Sequence, residues 1–271
     1  MNPLPPSDSP IGVFDSGVGG ISVLEKLVEK FPRENFIYLG DTARLPYGTK
    51  STQTVRNYAE QCLEHLYLRN VKAFVIACNT ASSAYLEKSY KTKPVYNMID
   101  CGAQEVIQRS TGRKTLLLAT KTTILSGAYI TALDKMNASI KITPVAAPLF
   151  IPLVEEGVFT GPLVQEVLRH TLNPIQRDLS TKSFDLCLLA CTHFPFLREE
   201  IEKYLGPDVE VRDSASQLEN FIKRDEKNQI LSLTDNQSAG TLQFFLTDSS
   251  EHFQKFISKK WPSRKIEFTR I

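Results

Sequence analysis

The chain has 271 residues and a formal net charge of +2. That length suits one large domain or two smaller ones, and the near-neutral balance excludes a field strong enough to draw nucleic acid or membrane surfaces. With 42% apolar and 23% charged residues, the composition is that of an ordinary globular protein with a real core.

No apolar run approaches the roughly 20 residues of a membrane helix. The first ten residues, with three prolines after Met1-Asn2 and a fourth at Pro10, lack a basic end and an apolar stretch. They read as a flexible leader rather than a signal peptide, so the expected location is cytoplasmic. Five cysteines (Cys62, Cys78, Cys101, Cys187, Cys191) are an odd number in apolar or helical contexts, which points to free thiols in a reducing compartment. There is no Cys-x-x-Cys, and a zinc site is not expected.

Taken in chain order, Pro10–Asp15 reads as a buried strand, Ser16–Gly20 as a tight turn, and Ile21–Phe31 as a helix by its spacing of apolar residues. Asn35–Gly40 is a second strand, ending at Asp41 before a loop with Pro46-Tyr47-Gly48. Ser51 is placed to cap a helix to about Arg69, with Val55, Tyr58, Cys62 and Leu66 on one face. Ala73–Ala77 is a strand that stops at Cys78, and a helix starts near Asn79. Lys93–Ile99 is a further strand or crossing segment. Thr115–Thr120 is a strand, Ile124–Met136 helical, Ile140–Val145 a strand, and Pro148–Phe159 a loop or short helix carrying Glu155. Pro162 to about Arg177 is helical with an interruption near Pro174. A strand from Asp185 ends at Cys191, Pro195 opens a helix to Leu205, and Val209–Arg212 is a strand. Ser214 is expected to cap a helix to about Arg224, followed by a polar loop to Gly240. Leu242–Leu246, a helix near residues 252–259, and Lys265–Phe268 complete the chain.

This strand–helix alternation predicts α/β architecture with mostly parallel sheets. The strand ends at Asp15, before Asp41 and at Cys78 recur at Thr120, before Ala147 and at Cys191, at offsets of 105, 106 and 113 residues. Two similar α/β domains are therefore expected. The first comprises residues 1–98 plus 209–271 and carries Asp15, Asp41 and Cys78. The second comprises 99–208 and carries Thr123, Glu155 and Cys191. Ligands of open α/β sheets sit beyond the carboxyl ends of the strands. Facing edges would form one cleft offering Asp15, Ser16, Asp41 and Cys78 on one wall and Thr120, Thr123 and Cys191 on the other.

A thiol at a strand end that starts a helix lies near backbone N–H groups, which favour thiolate and are expected to lower its pKa. Asp15 and His193 are candidate proton-handling neighbours of Cys78 and Cys191. Two opposed thiols suit a two-base reaction: one removes a proton from carbon and the other returns one to the opposite face, inverting a stereocentre. Backbone N–H groups at Ser16, Asn79 and Thr192 are candidates for stabilising the carbanion charge. Cys62, Cys101 and Cys187 read as inert apolar fillers. The Ser16–Gly20 turn lacks the lysine and full glycine pattern of a nucleotide loop.

The motifs Phe14-Asp15-Ser16-Gly17-Val18-Gly19-Gly20, Gly40-Asp41-Thr42 with Pro46-Tyr47-Gly48, Cys78-Asn79-Thr80-Ala81-Ser82, Ser126-Gly127-Ala128-Tyr129, Pro148–Glu155 and Cys191-Thr192-His193-Phe194-Pro195 occur in one order over residues 11–196. In these the chain resembles the glutamate racemases. The resemblance implies cofactor-independent interconversion of L- and D-glutamate, supplying D-glutamate for peptidoglycan, by a homodimer. It implies that Cys78 deprotonates D-glutamate and Cys191 L-glutamate. Asp15, Ser16, Asp41, Pro46, Tyr47, Gly48, Asn79, Thr80, Thr120, Thr123, Thr192 and His193 would hold the substrate, and Glu155 would be a supporting acid. Ala119 and Ala190 stand where the family usually has glycine, Ala147 where many members have cysteine, and Phe194 where tyrosine is common. Other readings of the same residues are a racemase for aspartate or another acidic substrate, a Cys191–His193 hydrolase or acyltransferase, and a non-catalytic amino-acid sensor.

Overall fold

The computed structural model describes residues 6–110, 112, 114–136, 140–180, 183–248, 251–262, 264 and 266–271. The start of the leader and Lys265 therefore lie outside the described residues. The chain runs β1 (Ile11–Asp15), α1 (Ile21–Lys30), β2 (Phe36–Gly40), α2 (Thr52–Tyr67), β3 (Ala73–Ile76), α3 (Asn79–Ala84), β4 (Ser89–Tyr90), β5 (Lys93–Asn97) and α4 (Met98–Arg109). It continues with β6 (Lys114–Ala119), α5 (Lys121–Leu125), α6 (Ala128–Lys135), β7 (Lys141–Ala146), α7 (Phe150–Glu155), α8 (Pro162–Leu172), α9 (Gln176–Ser180) and β8 (Phe184–Ala190). Then follow α10 (Arg198–Leu205), β9 (Glu210–Asp213), α11 (Leu218–Lys227), β10 (Leu242–Leu246), α12 (Glu251–Lys260) and β11 (Ile266–Arg270). Short 3-10 turns at Thr42–Arg44 and Tyr47–Thr49 shape the loop after β2.

Two sheets carry the architecture. The first has the order β11-β10-β2-β1-β3-β5-β4, parallel except for β4 against β5. The second is fully parallel in the order β7-β6-β8-β9. The runs β2-β1-β3-β5 and β7-β6-β8-β9 thus have the same topology. The strand ends matched by the internal repeat are equivalent in it: β1 with β6, β2 with β7, β3 with β8.

Side chains alternate across each sheet as the two-residue period of a strand requires. On β1, Ile11 and Val13 face one core layer and Phe14 the other. On β8, Cys187 and Leu189 face one layer, while Leu186, Leu188 and Ala190 face the other. Cys62, Cys101 and Cys187 are buried in these layers, and burial pushes each thiol well above its ordinary pKa. They remain protonated fillers, as expected.

Four local expectations are corrected. The segment from Lys93 does not run as strand to Ile99. Asn97 ends it, accepts the Asp100 N–H at 3.0 Å, and so caps α4, a helix absent from the sequence reading. The helix expected over Ile124–Met136 is broken at Ser126-Gly127, where Gly127 takes φ 65°, a left-handed conformation that favours glycine. The cap after β9 is Asp213, whose carboxylate accepts the Ala215 N–H, rather than Ser214. Finally, residues 210–213, assigned to the first domain, form the edge of the second sheet beside β8. They supply the fourth strand that β5 supplies in the first sheet. The chain returns to the first sheet only after Asp213.

Candidate active site

The carboxyl ends of β1, β2 and β3 face those of β6 and β8, and the loops that leave them enclose a small cavity. Ser16, Leu45, Pro46, Tyr47, Gly48, Cys78, Asn79 and Thr80 line it from the first sheet. Thr120, Ile151, Cys191, Thr192 and His193 line it from the second. Both thiols therefore open on one space, and each is nearly buried (5% and 6% exposed). The free volume is about 10 Å³, room for a single water. The walls are drawn together by hydrogen bonds between the halves. Thr192 Oγ1 donates to Asp15 Oδ1 at 3.2 Å, Ser22 Oγ to the Thr192 carbonyl at 2.9 Å, and Thr122 Oγ1 to the Gly48 carbonyl at 2.9 Å. The hydroxyls of Thr80 and Thr120 meet at 2.9 Å. A substrate the size of an amino acid requires these walls to part.

Cys78 follows β3 and caps α3, and its sulfur accepts the Ala81 N–H at 3.5 Å. The thiol also reaches the Ser16 hydroxyl at 3.6 Å. The expected lowering of its pKa is reversed: burial, then the neighbouring Asp15 charge, push it up to about 12 despite these hydrogen bonds. The N–H groups of a six-residue helix do not outweigh desolvation. Cys78 rests as a protonated thiol.

Asp15 closes β1. Its Oδ2 accepts the N–H groups of Gly17 (3.0 Å) and Gly20 (2.9 Å), which folds the glycine turn around the carboxylate. It is fully buried, and burial raises its pKa to about 6, although His193 and the hydrogen bonds pull the other way. Asp15 does not line the cavity, and its charge helps to raise the Cys78 pKa. Gly19 in the same turn packs directly on the second wall: a Cβ there would stand 2.5 Å from both His193 Nδ1 and Thr192 Oγ1.

The opposite thiol has a different neighbour. His193 Nδ1 lies 3.8 Å from Cys191 Sγ, and His193 Nε2 donates to Glu155 Oε1 at 2.5 Å. Burial disfavours the imidazolium, but the hydrogen bonds to Cys191 and Glu155 outweigh it and raise His193 to about 10. The arrangement Glu155–His193–Cys191 thus sets a cationic ring beside the Cys191 sulfur.

The remaining predicted residues fall into two groups. Ser16, Pro46, Tyr47, Gly48, Asn79, Thr80, Thr120 and Thr192 line the cavity. Asp41, Thr123 and Glu155 stand behind it. Asp41 Oδ2 accepts from the Tyr47 hydroxyl and from Arg44 Nε (2.5 Å), and Oδ1 accepts from Thr247 Oγ1 (3.0 Å). It shapes the Tyr47 loop. Thr123 joins the Thr80–Thr120 hydroxyl pair at 2.9 Å from Thr120. Leu45 and Ile151 line the cavity but were not singled out from sequence, because an apolar loop residue carries no chemical signature. Phe194, where the resemblance expects tyrosine, is fully buried edge-on against Phe150 at 5.2 Å.

A larger cavity of about 400 Å³ lies elsewhere, lined by Lys26, Arg198, Arg212 and Asp213 among others. It is lined by no cysteine or histidine, and Asp213 is already paired, with Lys26 at 2.6 Å and Arg198 at 2.7 Å. The paired thiols make the smaller cavity the candidate active site. Among the described residues no three His, Cys, Asp or Glu side chains cluster as a metal site, and no helix is long and apolar enough to cross a membrane.

Comparison with known proteins places this geometry in context. The profile of the Asp/Glu/hydantoin racemase family matches residues 11–218. A glutamate racemase from Lysinibacillus sphaericus is 37% identical over 259 residues, covering 94% of each chain. Among solved structures, a glutamate racemase from Bacillus anthracis superposes with a TM-score of 0.88 at 30% identity, over 98% of both chains. One from Francisella tularensis, solved in complex with D-glutamate, gives 0.85 at 31% identity, again over 98% of both.

Proposed function

The chain belongs to the Asp/Glu/hydantoin racemase family, and from that premise we propose that it interconverts L- and D-glutamate through Cys78 and Cys191, acting on opposite faces of the α-carbon. The observation that carries this reading is the pair of buried thiols on facing walls of one cavity, each with its own electrostatic partner.

The two partners suit opposite halves of one turnover. On the second wall, the His193 imidazolium, itself held by Glu155, sits where it stabilises a Cys191 thiolate able to remove the α-proton of L-glutamate. On the first wall, burial and Asp15 keep Cys78 protonated and ready to deliver a proton to the other face, which yields D-glutamate. The proton taken resides on Cys191 and the proton given leaves Cys78, so the enzyme ends in the mirrored state that runs the return reaction. Between the two transfers the negative charge spreads into the α-carboxylate. The hydroxyls of Ser16, Thr80 and Thr192, the Asn79 amide and the backbone N–H groups of the strand ends are the donors available to hold it. Closure of the walls removes water, which strengthens each of these interactions.

Both bases are side chains of this chain, so the reaction as proposed calls on no cofactor. Supply of D-glutamate for peptidoglycan, a cytoplasmic location and a homodimeric state belong to the same proposal through the family resemblance. The exposed Leu125 and Ile130 around the start of α6 are compatible with a protein partner. Purified protein incubated with L-glutamate alone, followed by chiral chromatography, tests the central reading. Accumulation of D-glutamate to an equal mixture supports it. No D-glutamate from L-glutamate, with turnover of L-aspartate instead, replaces glutamate by the smaller acid.

A further inference from the structure

Behind the cavity wall, Asn79 is held by two residues that no part of the reading above uses. Tyr129 donates its phenolic hydrogen to Asn79 Oδ1 at 2.7 Å, and Asn79 Nδ2 donates to Ser214 Oγ at 3.0 Å. Ser214 in turn hydrogen-bonds the Tyr129 phenol, which closes a ring of three polar groups. All three are buried, Tyr129 and Asn79 to 2% exposure and Ser214 to 4%. They come from three parts of the fold: Asn79 opens α3 on the first wall, Tyr129 lies on α6 beside the second sheet, and Ser214 stands where the chain leaves β9 to return to the first sheet.

We propose that Tyr129 is a positioning residue that orients the Asn79 amide toward the substrate, and that it does so only while the two halves are closed. An amide can present either its oxygen or its nitrogen to a given neighbour, and the wrong choice in a dry site costs a hydrogen bond on each side. With Oδ1 taken by Tyr129 and one N–H taken by Ser214, the remaining N–H of Asn79 is the group left to meet an anionic oxygen in the cavity. Because Tyr129 belongs to the second half, separation of the walls releases the amide and their closure fixes it again. The packing around the ring is close. Gly102 on α4 leaves the space through which the ring passes, and a Cβ there would stand 2.7 Å from the Tyr129 hydroxyl and 2.8 Å from its ring edge. The inference rests on the proposed role of Asn79 in holding glutamate.

A double-mutant cycle on the full-length protein tests it, with kcat and KM measured for both enantiomers and a melting curve for each variant. Tyr129→Phe removes only the hydroxyl and is expected to lower kcat/KM by about tenfold. Asn79→Ala is expected to lower it further. The double variant should match Asn79→Ala alone, because Tyr129 has nothing to orient once the amide is gone. Gly102→Ala, which displaces the ring, should reproduce the Tyr129→Phe loss. Losses that multiply in the double variant, or a folded Tyr129→Phe within twofold of wild type, overturn the proposal. If Asn79→Ala is silent while the wild type racemizes glutamate, the role of Asn79 falls and the proposal with it. If the wild type itself produces no D-glutamate, the failure lies with the racemase reading, and Tyr129 has no reaction to serve.

Discussion

Replacing His193 by asparagine removes the charge that distinguishes the Cys191 wall. In the folded protein the ring's pKa stands at about 10 against an ordinary 6.5, after the cost of burial is included. Cys191 and Glu155 together favour the imidazolium strongly enough to overcome that burial. A hydrogen bond from a charged donor is worth ~1.5–3 kcal/mol, so its loss at the Cys191 sulfur costs about ten- to a hundredfold in rate. Initial rates of racemization measured from each enantiomer by chiral chromatography provide the assay. The enantiomers are equal in energy, so kcat/KM must fall by the same factor in both directions. The asymmetry of the walls has to be read elsewhere, in the primary isotope effect. With 2-deuterated L-glutamate, whose deuteron Cys191 removes, the effect should rise above that of the wild type as this step becomes limiting. A loss of less than about threefold, or an unchanged isotope effect from the L side, would refute the assignment of His193 as the partner of Cys191.

Other perturbations probe the frame around this pair. Asp15 has a folded pKa of about 6 against 3.8, so between these values the native state holds a proton that the unfolded chain has released. Stability therefore falls as pH rises through that window, and the penalty persists above it at ~3 kcal/mol. Asp15→Asn should melt higher than wild type at pH 8 by at most this amount, lose the advantage below about pH 4, and lose activity throughout; melts and rates at the two pH values check it. Gly19→Ala forces a methyl group against His193 and Thr192. It should cut kcat/KM at least tenfold, consistent with an overpacking cost of ~1–3 kcal/mol at the catalytic wall, as steady-state rates will tell. Asp213→Asn keeps the cap on Ala215 but uncouples the buried carboxylate from Lys26 and Arg198, which are about one-third exposed. Urea melts should register a loss of ~2 kcal/mol, below the full cost of breaking a buried pair because the partners keep access to water.

The strand ends were the most legible part of the sequence. Short apolar runs that stop at Asp15, Cys78 and Cys191 mark both sheets and the edge on which they meet, since a parallel strand and its ligand-facing end are local features. What the chain hid was tertiary. Helix α4 went unseen because Val95–Ile99 reads as a continuous apolar strand, and only the Asn97 cap breaks it. Strand β9 was given to the wrong sheet because four residues with Glu210 and Arg212 among them do not declare their neighbour. The direction of the Cys78 shift depends on burial and on Asp15, a residue 63 positions away in the chain. Helix-terminus reasoning sees only the local part of that sum. Tyr129 was visible inside a motif, yet its partner Asn79 lies on the other half of the molecule.

The claim on which the rest depends is that two thiols divide one proton exchange between opposite faces of the α-carbon. Its most direct test is deuterium incorporation at Cα in heavy water, followed by NMR and chiral separation, for wild type, Cys78→Ser and Cys191→Ser. Wild type should label the product of either enantiomer. Each variant should lose racemization and exchange, at most, the one enantiomer whose proton faces the thiol that remains: L-glutamate for Cys78→Ser and D-glutamate for Cys191→Ser. Racemization surviving near wild-type rates in either variant would contradict the account.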